Sequence, residues 1–411
     1  MKKLCSFLLL AGCFSGIFAT DSRVITMGRH DAFFMDETSI FRNPANLNYY
    51  PNLLYGSAGI FKEDSVLDDL GQLSALKKRN RDPQQPYFGA ILSASLNQNA
   101  NESGNQYPMF SLGVGMNRYD PLLKYITPTK KNKVYEKPVG KIDLMAGYAL
   151  SNGGMVGIGT YLAFQNITNN VGKVKFASNV YKGTVGLNWP LAKSIDMEIS
   201  GAVASLTAKG LATIADTLAD TGATDIIADN DLAISFDGRI FAALPAINGD
   251  VVPHLAISRV THLENRKAIT ELDAALGLGI NVNIDKGFFW AGLEGLFKDY
   301  TVSTDTARSG IGGRVSFGIE RNVIWDWFVL RAGGSKSVMF FNRDNKEYSF
   351  SENPEADGSD ADLIGIGVGI NIENRLKIDG VIAEDIFYTF TNLVSGPMHH
   401  LQNRICLTYC F

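Results

Sequence analysis

The sequence predicts an all-β chain, a transmembrane antiparallel β-barrel. Three observations carry that reading. Several segments alternate apolar and small or polar residues at a period of two, which puts them on opposite faces of a strand. The connections between them alternate between short turns and long loops, as in barrels with one short-turn rim. Finally, 45% of the residues are hydrophobic and 41 are glycine, yet beyond residue 19 no apolar run approaches the roughly 20 residues of a membrane helix. A large soluble all-β protein, a sandwich or propeller, is the alternative.

In chain order, the first 19 residues read as a secretory signal peptide: Lys2 and Lys3, the apolar run Leu4 to Ala11, then small residues to Ala19. A rival reading takes Leu10-Ala11-Gly12-Cys13 as a lipobox with Cys13 lipidated. The expected organisation is a signal peptide at 1–19, an N-terminal lumenal segment at 20–52 and a barrel at 53–411. Without residues 1–19, 36 basic and 42 acidic side chains leave a net charge of −6. No basic stripe of the kind nucleic acid demands is present.

The clearest strands follow. Ile364, Ile366, Val368, Ile370 and Ile372 alternate with Gly365, Gly367, Gly369, Asn371 and Glu373. Leu276, Leu278, Ile280, Val282 and Ile284 alternate with Gly277, Gly279, Asn281, Asn283 and Asp285. Phe110 to Asn117 and Lys141 to Leu150 repeat the pattern. Glycine on a solvated strand face would only weaken the strand, whereas a barrel lumen filled by a plug or helices gives it a purpose, making room. A direct count gives 16 candidate strands. Short turns are expected near 151–153, 190–194, 285–287, 321–322 and 374, and long connections near 62–85, 118–138, 209–230, 259–270, 344–361 and 388–400. Trp189, Trp290, Trp325 and Trp327 all lie near short turns, as an interfacial aromatic belt would. Two long loops carry helical apolar stripes, Leu67, Leu70 and Leu73 in one and Leu211, Ile214 and Leu218 in the other. Each is read either as a groove that collects an apolar ligand or as a cap on the barrel mouth.

The chain ends on a strand whose outer row is Phe411, Tyr409, Leu407 and Ile405 and whose inner row holds Cys410, Thr408 and Cys406. A terminal aromatic on such a strand resembles the C-terminal signal of bacterial outer-membrane barrels. Cys406 and Cys410, four apart on one strand face, are about 13 Å apart, too far for a disulfide, and are expected as free lumenal thiols.

Chemistry is sparse. There is no G-x-S-x-G, H-E-x-x-H or P-loop, so no enzyme, cofactor or metal is expected. His399-His400 and the acidic tract Glu347 to Asp362 suit solvated loops better than metal sites. The basic stretch Arg118 to Lys141 suits anionic lipopolysaccharide.

Near the N-terminus, Met27-Gly28-Arg29, Asp36-Glu37 and Arg42-Asn43-Pro44-Ala45 precede the first strand near Leu53 to Phe61. This pattern resembles the FadL family of long-chain fatty-acid transporters, whose Asn-Pro-Ala motif belongs to a hatch inside the barrel. Asn43, Pro44 and Ala45 match it residue for residue. Pro44 also fixes φ and keeps Asn43 out of the helical region, which suits a rigid segment. His30, Phe33, Phe34 and Met35 are bulkier than the family's usual residues there. The resemblance implies a barrel of 14 strands, so the expectation is about 14, within 12–16, in the bacterial outer membrane. It further implies hatch or gating roles for Asn43, Pro44 and Ala45 and passive uptake of hydrophobic small molecules. The expected partners are outer-membrane lipid and lipopolysaccharide, the barrel-assembly machinery, a hydrophobic ligand and an envelope or surface protein. The alternative function is a non-transporting barrel that serves secretion or surface attachment, as in the PorV-like branch. A hydrolase of outer-membrane lipids is a third, for which no nucleophile-and-base arrangement is found.

Overall fold

A computed structural model describes residues 21–28, 30–59, 86–99, 106–126, 138, 140–169, 174–211, 224–264, 267–302, 305–342, 363–373, 375–384 and 401–411. Sixteen antiparallel strands close into one barrel. In chain order they are β1 (Leu53–Gly59), β2 (Tyr87–Ser95), β3 (Met109–Met116), β4 (Gly140–Ala149), β5 (Met155–Asn169), β6 (Val174–Ala192), β7 (Ile195–Leu211) and β8 (Thr224–Leu244). Then come β9 (Gly249–Glu264), β10 (Lys267–Ile284), β11 (Gly287–Val302), β12 (Asp305–Asn322), β13 (Phe328–Asn342), β14 (Leu363–Ile372), β15 (Leu376–Glu384) and β16 (Leu401–Cys410). Each strand pairs with its chain neighbours, and β16 seals against β1 from Leu53↔Cys410 to Gly59↔Arg404. The terminal strand therefore closes the ring, and no edge is left to aggregate. Sixteen strands exceed the 14 that the family resemblance implies and match the direct count.

Alternation decides which face is which. Leu276, Leu293 and Ile311 are 64–67% exposed, and the outward row of β16, Ile405, Leu407 and Tyr409, is exposed likewise. Inward neighbours such as Gly365, Gly367 and Gly369 are buried. A continuous apolar exterior around a polar interior is stable only against hydrocarbon, and a closed sheet satisfies every backbone group there. The chain is a bacterial outer-membrane barrel.

Some expectations need correction. The connection at 259–270 is not a loop, because β9 runs to Glu264 and β10 starts at Lys267. Likewise Leu211 lies on β7, paired with Thr224, and not on a loop helix. The physical reason is length: β6 to β12 run 16–21 residues, beyond the roughly 9–11 that span a bilayer. Their outer ends leave the membrane, where apolar alternation no longer marks a strand. Ile214, Leu218, Leu67, Leu70 and Leu73 lie outside the described residues, as do the signal-peptide segment, His399-His400 and the acidic tract. Trp290 is no belt residue, since it faces inward and is fully buried. Trp189, Trp325 and Trp327 are exposed, and the last two stack in the β12–β13 turn at 5.1 Å.

Candidate functional site

Residues 21–50 touch inward-facing groups of strands all around the ring, so they lie inside the barrel, in the half nearer the short turns. The segment starts with helix α1 (Asp21–Thr26), which packs on β13 to β16. Here the strand glycines find their use: a side chain at Gly365 would meet the Thr26 backbone at 2.9 Å, and one at Gly367 would meet the Thr26 side chain. Gly28 follows with φ +95°, and a Cβ there would also press on the Gly334 carbonyl at 2.9 Å. Only glycine suits both demands.

Residues 30–35 have no regular structure, so their carbonyls need partners from the wall. Arg239 of β8 supplies them. Its guanidinium donates to the carbonyls of Asp31 at 2.8 Å and Phe34 at 2.9 Å while Nε donates to Glu198 at 2.7 Å. Phe33 sinks against Gly277, Gly279 and Gly292, and Phe34 lies 5.3 Å from Trp290 and 5.9 Å from Phe288. Glu294 of β11 holds this region three strands away, 2.8 Å from His30 Nε2, 2.7 Å from Arg314 and 3.0 Å from His254. His254 in turn meets Asp237, which pairs with Arg42, and Arg42 pairs with Asp31. Burial lowers the pKa of His30 against the pull of Glu294. Burial alone would raise Asp31, but Arg42, Arg239 and His30 outweigh it and hold the carboxyl below its usual range.

A second ionic group forms under α1. Arg23 Nε donates to Glu320 at 2.8 Å and stacks over Phe288 at 4.7 Å. Glu320 also accepts from Arg331, which bridges to Asp379. Asp36 and Glu37 border this group. Asp36 caps the 3-10 turn Glu37–Phe41 by accepting from the Thr38 N–H at 2.8 Å. Burial, opposed by Arg23, pushes the Asp36 carboxyl up to about 7. Glu37 is raised too, by burial first and then by Asp36.

The third contact is neutral. Asn43 caps the 3-10 turn Pro44–Tyr49, with Pro44 in the first position, where its missing N–H costs nothing. Its Oδ1 accepts from the Ala45 N–H at 3.1 Å and its Nδ2 donates to Asn188 of β6 at 2.6 Å. Asn188 then donates to Asn46, which donates to Ser39 at 2.8 Å. Asn48 accepts from Ser111 of β3 at 3.0 Å. Gly157 and Gly186 leave the space that the Pro44–Ala45 backbone and the Asn43 amide fill. The sequence-read residues Asn43, Pro44 and Ala45 are thus brought together against one wall. Phe411, Tyr409 and Leu407 sit on the lipid side, remote from them.

Above the segment, toward the long connections, the inward face of β5 to β9 turns apolar: Ala163, Val180, Ala204, Leu206, Ala208 and Val260. Helix α2 (Leu123–Ile126) lies on this wall through Leu123 and Ile126. Tyr125 at its rim donates to Glu271 at 2.9 Å, beside His262. Between wall and segment, Arg118 binds Asp143 through Nε at 3.0 Å and a terminal nitrogen at 2.7 Å and lies over Phe41 at 4.3 Å. The cleft beside it, lined by Ile40, Phe41, Pro44 and Lys182, has room for about one water, 10 Å³. Among the described residues no group of three or more His, Cys, Asp or Glu gathers in metal-binding geometry. Cys406 and Cys410 are free thiols, as their spacing requires; Cys406 is buried, its Sγ 2.9 Å from Ser22 Oγ.

Sequence reasoning missed the wall's ionic residues. Glu198, Arg239, Glu294, Glu320 and Arg331 each stand at an inward position beside an apolar outward residue, Ile199, Ile240, Leu293, Ile319 and Leu330 in turn, and that parity is the signal that marks them.

No family model and no curated protein matches the chain. Among solved structures it is similar to the toluene transporter TodX of Pseudomonas putida, at 10% identity over 96% of this chain and 98% of that one, TM-score 0.40. It is similar to OprB of Pseudomonas putida at 8% identity over 92% and 98%, TM-score 0.36. It is also similar to BamA of Haemophilus ducreyi at 8% identity over 87% and 69%, TM-score 0.38.

Proposed function

We propose that this barrel is a channel for passive uptake of hydrophobic small molecules of the long-chain fatty-acid type, gated at Asn43-Pro44-Ala45 by an N-terminal hatch, residues 20–52. The apolar inner wall formed by Ala163, Val180, Leu206 and Val260 carries the reading, because channels for hydrophilic solutes line the lumen with polar side chains. An apolar solute leaving the outer loops would meet α2, which covers this wall through Leu123 and Ile126, before it met the segment. The stripe Leu67, Leu70 and Leu73, with Ile214 and Leu218, would gather it there. The resemblance of Asn43-Pro44-Ala45 to the FadL family points the same way.

The test is uptake of a labelled long-chain fatty acid by cells bearing the parent, a Leu206→Asp variant or an Asn43→Ala/Pro44→Ala variant. Uptake that Leu206→Asp abolishes supports the reading. Uptake no greater than that of a deletion strain, in the parent, overturns it. A second reading, a permanently filled barrel that binds an envelope or surface protein, draws on the ionic contacts that fasten the segment to β8 through Arg239, to β11 through Glu294 and to β12 through Glu320. It expects liposomes containing the protein to pass nothing while a specific envelope protein is retained.

A further inference from the structure

The ionic group beneath α1 does not balance. Among the described residues, four carboxyl groups, Asp36, Glu37, Glu320 and Asp379, face three cations, Arg23, Arg331 and Lys377. All four carboxyl groups are buried, Asp36 completely. Arg23 and Arg331 are committed to Glu320 and Asp379. Asp36 Oδ2 lies 3.7 Å from Arg23 with no hydrogen bond, and Glu37 Oε1 has no partner either. The remaining described neighbours cannot neutralise a surplus carboxylate. Thr38 and Thr408 offer one hydroxyl each to the other carboxylate oxygens. Tyr50 and Cys410 face the site as weak acids, and Asp31 adds negative charge through space. A buried carboxylate without compensation neutralises itself by taking a proton.

We propose that the seated N-terminal segment holds one proton on the Asp36–Glu37 pair, so that seating takes up a proton from solvent and rising pH loosens the segment. The proton returns to solvent when the segment leaves. The upward displacement of both carboxyl groups by burial agrees with this. The sign follows from linkage. A group whose pKa is higher when seated favours the seated state below its free value near 4, and that advantage is lost as pH climbs through the seated value. For a seated value of about 7, the unseated fraction climbs from pH 4 to 7 and levels above. His30 acts in the opposite direction below its ordinary range, since burial lowers it. The inference stands on the segment's place in the lumen and is independent of what the barrel carries.

Cys406, buried beneath Ser22, reports the change. Its modification by a water-soluble methanethiosulfonate is followed by peptide mass spectrometry at pH 5 and pH 8. Each rate is divided by that of the urea-unfolded chain at the same pH, which removes the intrinsic reactivity of the thiolate. For the parent we expect a rise of more than tenfold. The Asp36→Asn variant leaves three carboxylates facing the three cations, with no proton to lose, and should label slowly at both pH values. Comparing it with the parent also cancels His30. Heat-modifiable migration on a denaturing gel verifies that each barrel is folded. A flat parent profile overturns the proposal without any variant. So does an Asp36→Asn variant that retains the parent's rise, or one that labels fast at every pH.

Discussion

Replacing Gly279 with valine should unseat the segment while leaving the barrel intact. A Cβ at this position would overlap Phe33 Cδ1 and Cγ and lie 2.8 Å from its Cβ, so the ring must go. Phe33 is fully buried, and burying such a side chain contributes about 1.5–3 kcal/mol. Its contacts with Trp290 and His254, each at 6.0 Å, add about 0.5–1.5 kcal/mol. The seated state should lose about 2–4.5 kcal/mol in all, which raises the exit equilibrium about 30- to 2,000-fold. The strand itself gains, because valine suits a pleated sheet better than glycine. Gly183→Val is the control: its Cβ meets nothing within 4 Å. Trypsin is too large to enter the lumen, so cleavage after Arg23 or Arg42 in purified protein measures exit. Faster cleavage for Gly279→Val alone, with heat-modifiable migration retained, is expected. Unchanged cleavage would refute the argument, and so would equal acceleration by Gly183→Val. Phe33→Ala should accelerate cleavage similarly, and adding Gly279→Val to it should cost little more, since the two changes remove one contact.

Three further outcomes can be measured. Asn43→Ala removes a helix cap worth about 1 kcal/mol and strands the Asn188 amide, a loss of about 1–3 kcal/mol; tryptic half-life should fall at least tenfold. Arg239→Ala leaves Glu198 and the carbonyls of Asp31 and Phe34 without their donor, a change of about 3–5 kcal/mol for a broken buried pair; Arg239→Lys should not restore protease resistance, because one ammonium cannot reach all three. Leu278→Lys puts a charge on the lipid face, where Leu278 is 56% exposed, and should lower stability by about 2–4 kcal/mol, read as an earlier urea midpoint in bilayers but not as faster cleavage of the seated segment.

The fold was legible because lipid imposes a strict rule on alternate residues. Ile364 to Ile372 and Leu276 to Ile284 turned outward as their period requires, and their glycine partners turned in. The rule fails where both faces are apolar. On β11, Phe288 and Trp290 point inward and Phe289 and Leu293 outward, so nothing in that stretch distinguishes a lumenal tryptophan from an interfacial one. It fails again at Leu211, where the strand has left the membrane. Of the site, the Asn43-Pro44-Ala45 turn was readable because its requirements are local: a cap, a fixed φ, a following 3-10 turn. Arg239 and Glu294 were not, because their partners lie on a segment more than 200 residues earlier in the chain. His30, Phe33, Phe34 and Met35 are bulkier than the family's usual residues there, and for Phe33 the wall makes the room, at Gly277, Gly279 and Gly292.

The segment's contacts also differ along its length in a way that sets the direction of any movement. Residue 50 is tied to β1, which begins at Leu53, and the neutral amides of Asn43, Asn46 and Asn48 lie close to that tether. The charged contacts, through Arg23, His30 and Asp36, lie farther from it. We expect the segment, tied to β1 at one end, to leave its seat from the end remote from that tether, so that α1 and the ionic group beneath it part before the Asn43–Asn188 contact does. Neutral amide bonds change little with pH or salt, whereas the carboxyl surplus around Asp36 and Glu37 responds to pH directly. The end that moves first is thus the end that titrates. If the order is correct, cross-linking residue 46 to residue 188 should leave the pH response of Cys406 intact, while cross-linking residue 26 to residue 367 should abolish it. The reverse pattern would place the first movement at the tethered end and remove the reason for the asymmetry.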